Sequence, residues 1–140
     1  MATTSDSSGR LAPVDVALAV LLGVQVLFQT ALALGAPWGD AAWGGGHSGP
    51  LPAGFRVASG VGGLLWLWVL LVVVRRSLGP TGRRRVLLVV AAYSTFGILA
   101  NAASPSGLER AIWTPYCVVT AALAWWAWRE ARAECEELVA

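Results

Sequence analysis

The chain has 140 residues, a hydrophobic fraction of 56%, only 13% charged residues and a formal net charge of +2. One domain of this length with so little charge lies outside the range of water-soluble globular chains. The apolar residues come in blocks long enough to span a bilayer, so a polytopic membrane protein is expected.

A mean hydropathy of +0.63 agrees with this. So do the eight Trp, because indole rings settle at membrane–water interfaces. The chain has no Lys, and its richness in Ala, Gly, Val and Arg points to a GC-rich bacterial genome.

Met1 to Arg10 is small and polar, and residues 1–13 read as a disordered cytoplasmic lead-in. Pro13 suits a first helical turn. The first apolar run, Val14 to Leu34, is about the length needed to cross the hydrocarbon core. Ala31-Leu32-Ala33 has the look of a signal-peptide cleavage site. Gln25 and Gln29, on one stripe with Leu18 and Leu22, argue for a retained helix with a buried interhelical face.

Gly35 to Ser59 is polar and rich in Gly and Pro, and it holds the chain's one His, His47. The second run, Val57 to Val74, contains Ser59 and Gly63, a small-xxx-small pair that permits close helix approach. Trp66 and Trp68 fall near its middle on opposite sides. Arg75, Arg76, Arg83, Arg84 and Arg85 flank Gly79-Pro80, which reads as a turn.

The third run is Val86 to about Ala102, with Tyr93, Gly97 and Asn101 on one mildly polar stripe. Ser106 and Glu109 have the spacing of a capping box at the start of the fourth run. That run continues through Pro115, a candidate kink, to a belt of Trp125, Trp126 and Trp128. Residues 129–140 form a charged tail. Cys117 in an apolar run and Cys135 in that tail are not placed to pair, so no disulfide is expected.

The arginines set sidedness. With the second connection inside, Arg10, Arg75, Arg76, Arg83, Arg84, Arg85, Arg129 and Arg132 are cytoplasmic and only Arg56 and Arg110 are outside. The expected fold is all-α: a transmembrane four-helix bundle with a long Gly/Pro/Trp-rich extracytoplasmic loop between helices 1 and 2. Its spans are about 14–34, 57–74, 86–102 and 109–128, with both termini in the cytoplasm of a bacterium and the spans in its inner membrane. The cytoplasmic arginines also suit anionic lipid headgroups. Nucleic acid is not an expected partner, whereas a second copy or another membrane protein is compatible with the small-residue faces.

The two outer connections bring together Trp38, Asp40, Trp43, His47, Arg56, Asn101 and Trp113 as candidate ligand-binding residues. Arg56 at a helix start calls for a carboxylate, Asp40 or Glu109, which would make it a structural ion pair. Ser106 and Glu109 read as capping residues. His47 alone makes no metal site, and no metal or cofactor motif is present. A Ser104 or Ser106, His47, Asp40 triad lacks a nucleophile elbow.

Gly35-Ala-Pro-Trp-Gly39, Ala42-Trp43-Gly44-Gly45, Leu51-Pro52, and Arg56 with Ser59 form one set of short motifs. Asn101, Ser104-Pro105-Ser106, Glu109-Arg110 and Ile112-Trp113-Thr114-Pro115 form another. Together, over roughly Val14 to Trp128, they resemble a group of uncharacterised small bacterial four-span membrane proteins. The resemblance implies a topology and carries no activity.

The leading functional expectation is a non-enzymatic protein whose outer face binds a lipid, an amphiphile or a partner protein. One alternative is an oligomeric transporter or channel subunit with Gln25, Gln29, Tyr93 and Asn101 on a polar track. The other is a membrane enzyme in which at least two of Asp40, His47 and Glu109 converge in a pocket.

Overall fold

A computed structural model describes residues 11–137. Within them the chain is all-helical: α1 Pro13–Leu34, α2 Ala53–Arg75, α3 Gly79–Ala102 and α4 Gly107–Glu137. Two 3-10 turns, Gly39–Ala41 and Trp43–Gly45, lie between α1 and α2. The lead-in over residues 1–10 falls outside the described residues, as do the end of the tail and the side chain of Cys135. Cys117 is a free, buried thiol.

Three helices, α1, α2 and α3, are long and apolar enough to cross a membrane. Their large apolar side chains point outward: Leu27 is 71% exposed, Phe96 68% and Leu65 58%. Helices close their own backbone hydrogen bonds and can carry such a surface in lipid. The chain is a membrane protein.

The helix ends follow from local chemistry. Gly35 adopts a left-handed conformation, φ 97°, and donates to Leu32 O while Ala36 N donates to Ala31 O. This glycine-terminated cap satisfies carbonyls that a helix end leaves free. α2 begins at Ala53 rather than Val57, because Pro52 is extended at the cap position and its carbonyl accepts Arg56 N. Phe55 and Arg56 are therefore helical.

The expected turn at Gly79-Pro80 is also a helix start. Proline lacks the N–H that a first turn would leave unpaired, so it opens α3 instead of ending a helix. Arg83, Arg84 and Arg85 thus lie on α3, and only residues 76–78 separate α2 from α3.

The helices pair as two antiparallel hairpins, α1 with α2 and α3 with α4. Small residues set the approach: a Cβ on Gly63 would stand 3.5 Å from Gln29 Cβ, and one on Gly97 only 2.9 Å from Cys117 Sγ. α1 and α4 join the hairpins, with Tyr116 Oη donating to Leu21 O at 2.8 Å. α2 and α3 touch sparsely.

At the arginine end all four helices close on one core. Leu18 and Leu22 of α1, Val73 of α2, Leu87 of α3 and Ala124 of α4 belong to it. At the loop end a second, smaller core holds Leu32, Ala42 and Leu51, with Phe28 and Phe55 against it. The Trp belt divides: Trp128 packs on the first core, while Trp126 is exposed and donates to Glu130.

The arginine end is locked by a carboxylate. Asp15, in the first turn of α1, is fully buried. Arg83 Nη2 lies 2.5 Å from its Oδ1 and Arg76 Nη2 3.2 Å from its Oδ2. Arg83 Nη1 also stands 3.8 Å from the Glu134 carboxylate on α4. Arg83 is 2% exposed, so it faces Asp15 and not the headgroup layer expected for it. Arg75, Arg76 and Arg85 remain exposed and Arg84 half-buried.

Removing one partner of a buried pair strands the other. Arg83→Leu is expected to destabilise the protein by about 3–5 kcal/mol, read as loss of helical circular dichroism on heating in detergent. The Asp15→Leu/Arg83→Leu double variant should recover much of that loss.

Candidate functional site

Residues 35–52 fold back on themselves before docking. Gly39 N donates to Gly49 O at 2.9 Å, closing the loop. A Cβ on Gly39 would run into the carbonyl oxygens of His47 and Gly49, so only glycine allows this crossing. Trp43 takes a left-handed conformation, φ 54°, and its ring packs against Phe55 at 5.2 Å.

The folded loop is pinned to α4 and α2. Trp113 Nε1 donates to Ala41 O at 2.7 Å, and Ser106 Oγ to Asp40 O at 2.6 Å. On the other side Trp43 Nε1 donates to the buried Ser59 hydroxyl at 3.1 Å. Phe28 stacks on Trp38 and meets Trp113 edge-on, centroids 5.9 and 4.5 Å apart.

Ser106 caps α4 as its spacing suggests, its Oγ accepting Glu109 N at 3.1 Å. The reciprocal half of the capping box is absent. Ser106 N donates to Ser104 Oγ instead. The Glu109 carboxylate accepts from the Ser104 hydroxyl and, at 3.2 Å, from Gly44 N of the loop. Glu109 is thus a bridge between α4 and the loop, and it is 8% exposed.

Arg56 departs furthest from expectation. It forms no ion pair with Asp40 or Glu109; its Nε donates to Ala33 O at 3.1 Å. The guanidinium lies 3.4 Å from where a Cβ on Gly35 would be. The last carbonyls of α1 lack helical partners, and Arg56 supplies one donor.

Between the hairpins, beneath the loop, is a chamber of about 320 Å³. α1 contributes Gln25, Phe28, Gln29 and Leu32; α4 contributes Glu109, Trp113, Tyr116, Cys117 and Thr120. Tyr93, Gly97 and Asn101 line it from α3 and Trp43 roofs it. Asn101 Nδ2 donates back to Gly97 O at 2.7 Å and stands 3.6 Å from Cys117 Sγ. The Oε1 atoms of Gln25 and Gln29 are buried without a partner.

A second cavity of about 410 Å³ runs along the gap between α2 and α3, lined by Ala58, Gly62, Trp68, Val89 and, at its arginine end, Arg85. Gln29, Trp43, Trp66 and Tyr93 line both cavities, and the Trp66 and Tyr93 rings meet edge-on at 5.4 Å. Trp66 is half-buried and Trp68 exposed, yet both face this gap.

Of the residues singled out from sequence, Trp43, Asn101 and Trp113 line the chamber, and so does Glu109. Trp38, Asp40, His47 and Arg56 do not. The His47 ring rests on Phe55 at 5.0 Å, and of Asp40, His47 and Glu109 only Glu109 lines the chamber. The Ser104 and Ser106 hydroxyls are both engaged in capping contacts. Among the described residues no group of three or more His, Cys, Asp or Glu could hold a metal ion.

Two features escaped sequence reasoning. Tyr116, Cys117 and Thr120 recur at helical spacing with Trp113 and complete the chamber face of α4. Asp15, a carboxylate at the very start of an apolar run, is the signal for the clamp. No family model, curated protein or solved structure matches the chain.

Loop docking depends on one glycine. Gly45 has φ +67° and a Cβ there would collide with Ser106 Cβ, whereas Gly46 has open space and helical angles. Gly45→Ala is expected to destabilise by about 1–3 kcal/mol and speed proteolytic nicking of the loop. Gly46→Ala should stay within about 0.5 kcal/mol of the parent.

Proposed function

We propose that the chain is a four-span membrane protein that binds a single-chain amphiphile in the cavity between its hairpins. α4 is taken as the fourth span because it packs antiparallel along α3 and has 31 residues, longer than the roughly 20 a span needs. Trp, Tyr, Thr and Pro dilute its hydropathy. The arginine bias orients the loop end outward and the arginine end toward the cytoplasm of a bacterial inner membrane. The exposed Arg75, Arg76 and Arg85 then meet anionic headgroups, with Arg84 beside them.

The observation that carries the binding reading is that the two cavities adjoin, with Gln29, Trp43, Trp66 and Tyr93 lining both. The chamber under the loop carries the polar groups of Gln25, Gln29, Asn101 and Glu109 on a largely aromatic and apolar wall. It adjoins a more apolar cleft between α2 and α3. A head fits the first and an alkyl chain the second, and the cleft faces the lipid from which such a molecule would enter. Both volumes lie in the range of small-molecule sites.

Gln25, Gln29, Tyr93 and Asn101 all line the chamber, which favours a transport track as the second reading. The chamber goes no deeper than Gln25, Ser94 and Thr120. One turn further, Leu22, Val90 and Ala124 are buried in the core. Toward the arginines the neighbouring space is the α2–α3 cleft, which lies open along its side and so supports lateral entry and binding over an enclosed passage.

Ala100 is exposed and lines the chamber, so Ala100→Trp fills it without touching the cores. A diazirine-bearing alkyl maltoside should label cleft residues saturably in the parent protein in liposomes. Half-saturation should move about tenfold upward in Ala100→Trp, a change of about 1.4 kcal/mol. Labelling that never saturates, or that ignores Ala100→Trp, refutes the reading.

A further inference from the structure

Resting on the amphiphile reading, we infer that the chamber selects a cationic head, an alkylammonium amphiphile, and holds it against Glu109. Glu109 is buried and lines the chamber. Among the described residues it has no cation within 4.0 Å: the ion pairs there are Asp15 with Arg76 and Arg83, Arg83 with Glu134, and Arg132 with Glu136. No arginine and no histidine lines the chamber.

An acidic side chain at membrane depth ordinarily has a charge partner. The expected one, Arg56, is bound to Ala33 O, and Arg110 is turned to the Ser104 carbonyl. A carboxylate offers about four lone-pair positions. The Gly44 N–H and the Ser104 hydroxyl occupy two, fixing the group while leaving capacity for a ligand.

The rest of the lining suits the same charge. Trp43, Trp66, Tyr93, Phe96, Trp113 and Tyr116 surround the space, and aromatic ring faces attract ammonium groups. The unpartnered Oε1 atoms of Gln25 and Gln29 are acceptors as well. An anionic head would meet Glu109 with no compensating cation, in a medium where like charges repel strongly. At the other end of the cleft stands Arg85. The groove therefore has opposite charge at its two ends, which orients an ammonium head toward the loop and its chain toward the arginines.

The test uses the full chain in liposomes of neutral lipid and two diazirine photoprobes of equal chain length. One carries a trimethylammonium head and the other its uncharged 3,3-dimethylbutyl counterpart. In the parent protein the ammonium probe should reach half-saturation at a concentration about tenfold lower. Glu109→Gln should erase that ratio by weakening only the ammonium probe, and Phe96→Leu should narrow it by about threefold.

Equal affinity of the two probes in the parent protein, or a ratio unchanged in Glu109→Gln, overturns the charge inference and leaves amphiphile binding standing. Saturable labelling by neither probe overturns both. Should Glu109→Gln not fold, the parent ratio and Phe96→Leu, whose side chain is exposed, decide the question.

Discussion

Burial of Asp15 constrains everything at the arginine end. A carboxylate taken fully out of solvent is destabilising by several kcal/mol unless paired, and α1 itself supplies no partner. The chain meets this with Arg83 from α3 and Arg76 from the α2–α3 connection, while Glu134 of α4 faces the far side of Arg83. One charge thus fixes the relative depth of α1 and α3, which share no connection. With the arginine end closed in this way, and the Leu18, Leu22, Val73 and Leu87 core above it, the hairpins are free to part toward the loop.

That parting is the origin of the cavity. α1–α2 and α3–α4 pack closely along faces of small residues, whereas α2 and α3 touch only sparsely. The loop spans the open end and is held by contacts from both hairpins: Trp43 to Ser59 on one, Trp113 to Ala41 and Glu109 to Gly44 on the other. The Trp113 bond is buried, so its donor and acceptor would be costly to leave unpaired. The roof is therefore a structural element and, through Trp43 and Glu109, part of the chamber wall.

How much of this was legible in the sequence depends on the range of the interactions. Helices at Val14 to Leu34 and around Val86 to Ala102 follow from local hydropathy. The cap at Ser106 follows from spacing within one turn. Helix starts at Pro52 and Gly79 were misread because proline ends one helix and begins another with the same local signal. Arg56 was assigned a carboxylate on charge alone, yet the nearest acceptor was the free carbonyl of Ala33, visible only once α1 and α2 pair. Asp15 and Arg83 are 68 residues apart, and nothing in either neighbourhood names the other. The chamber is a gap between helices, which no single stretch encodes.

The left-handed conformation of Arg76 has a bearing on how the chain is assembled. A non-glycine residue at φ 50° is strained by about 1 kcal/mol, and here it ends α2 while its guanidinium reaches back to Asp15. Arg76 follows directly on the first hairpin, whereas Arg83 arrives only with α3. As the chain emerges in order, the carboxylate of Asp15 meets a positive charge before the second hairpin exists. The first hairpin can thus enter the bilayer with its acid already neutralised, and the later arrival of Arg83 tightens a contact that Arg76 has begun.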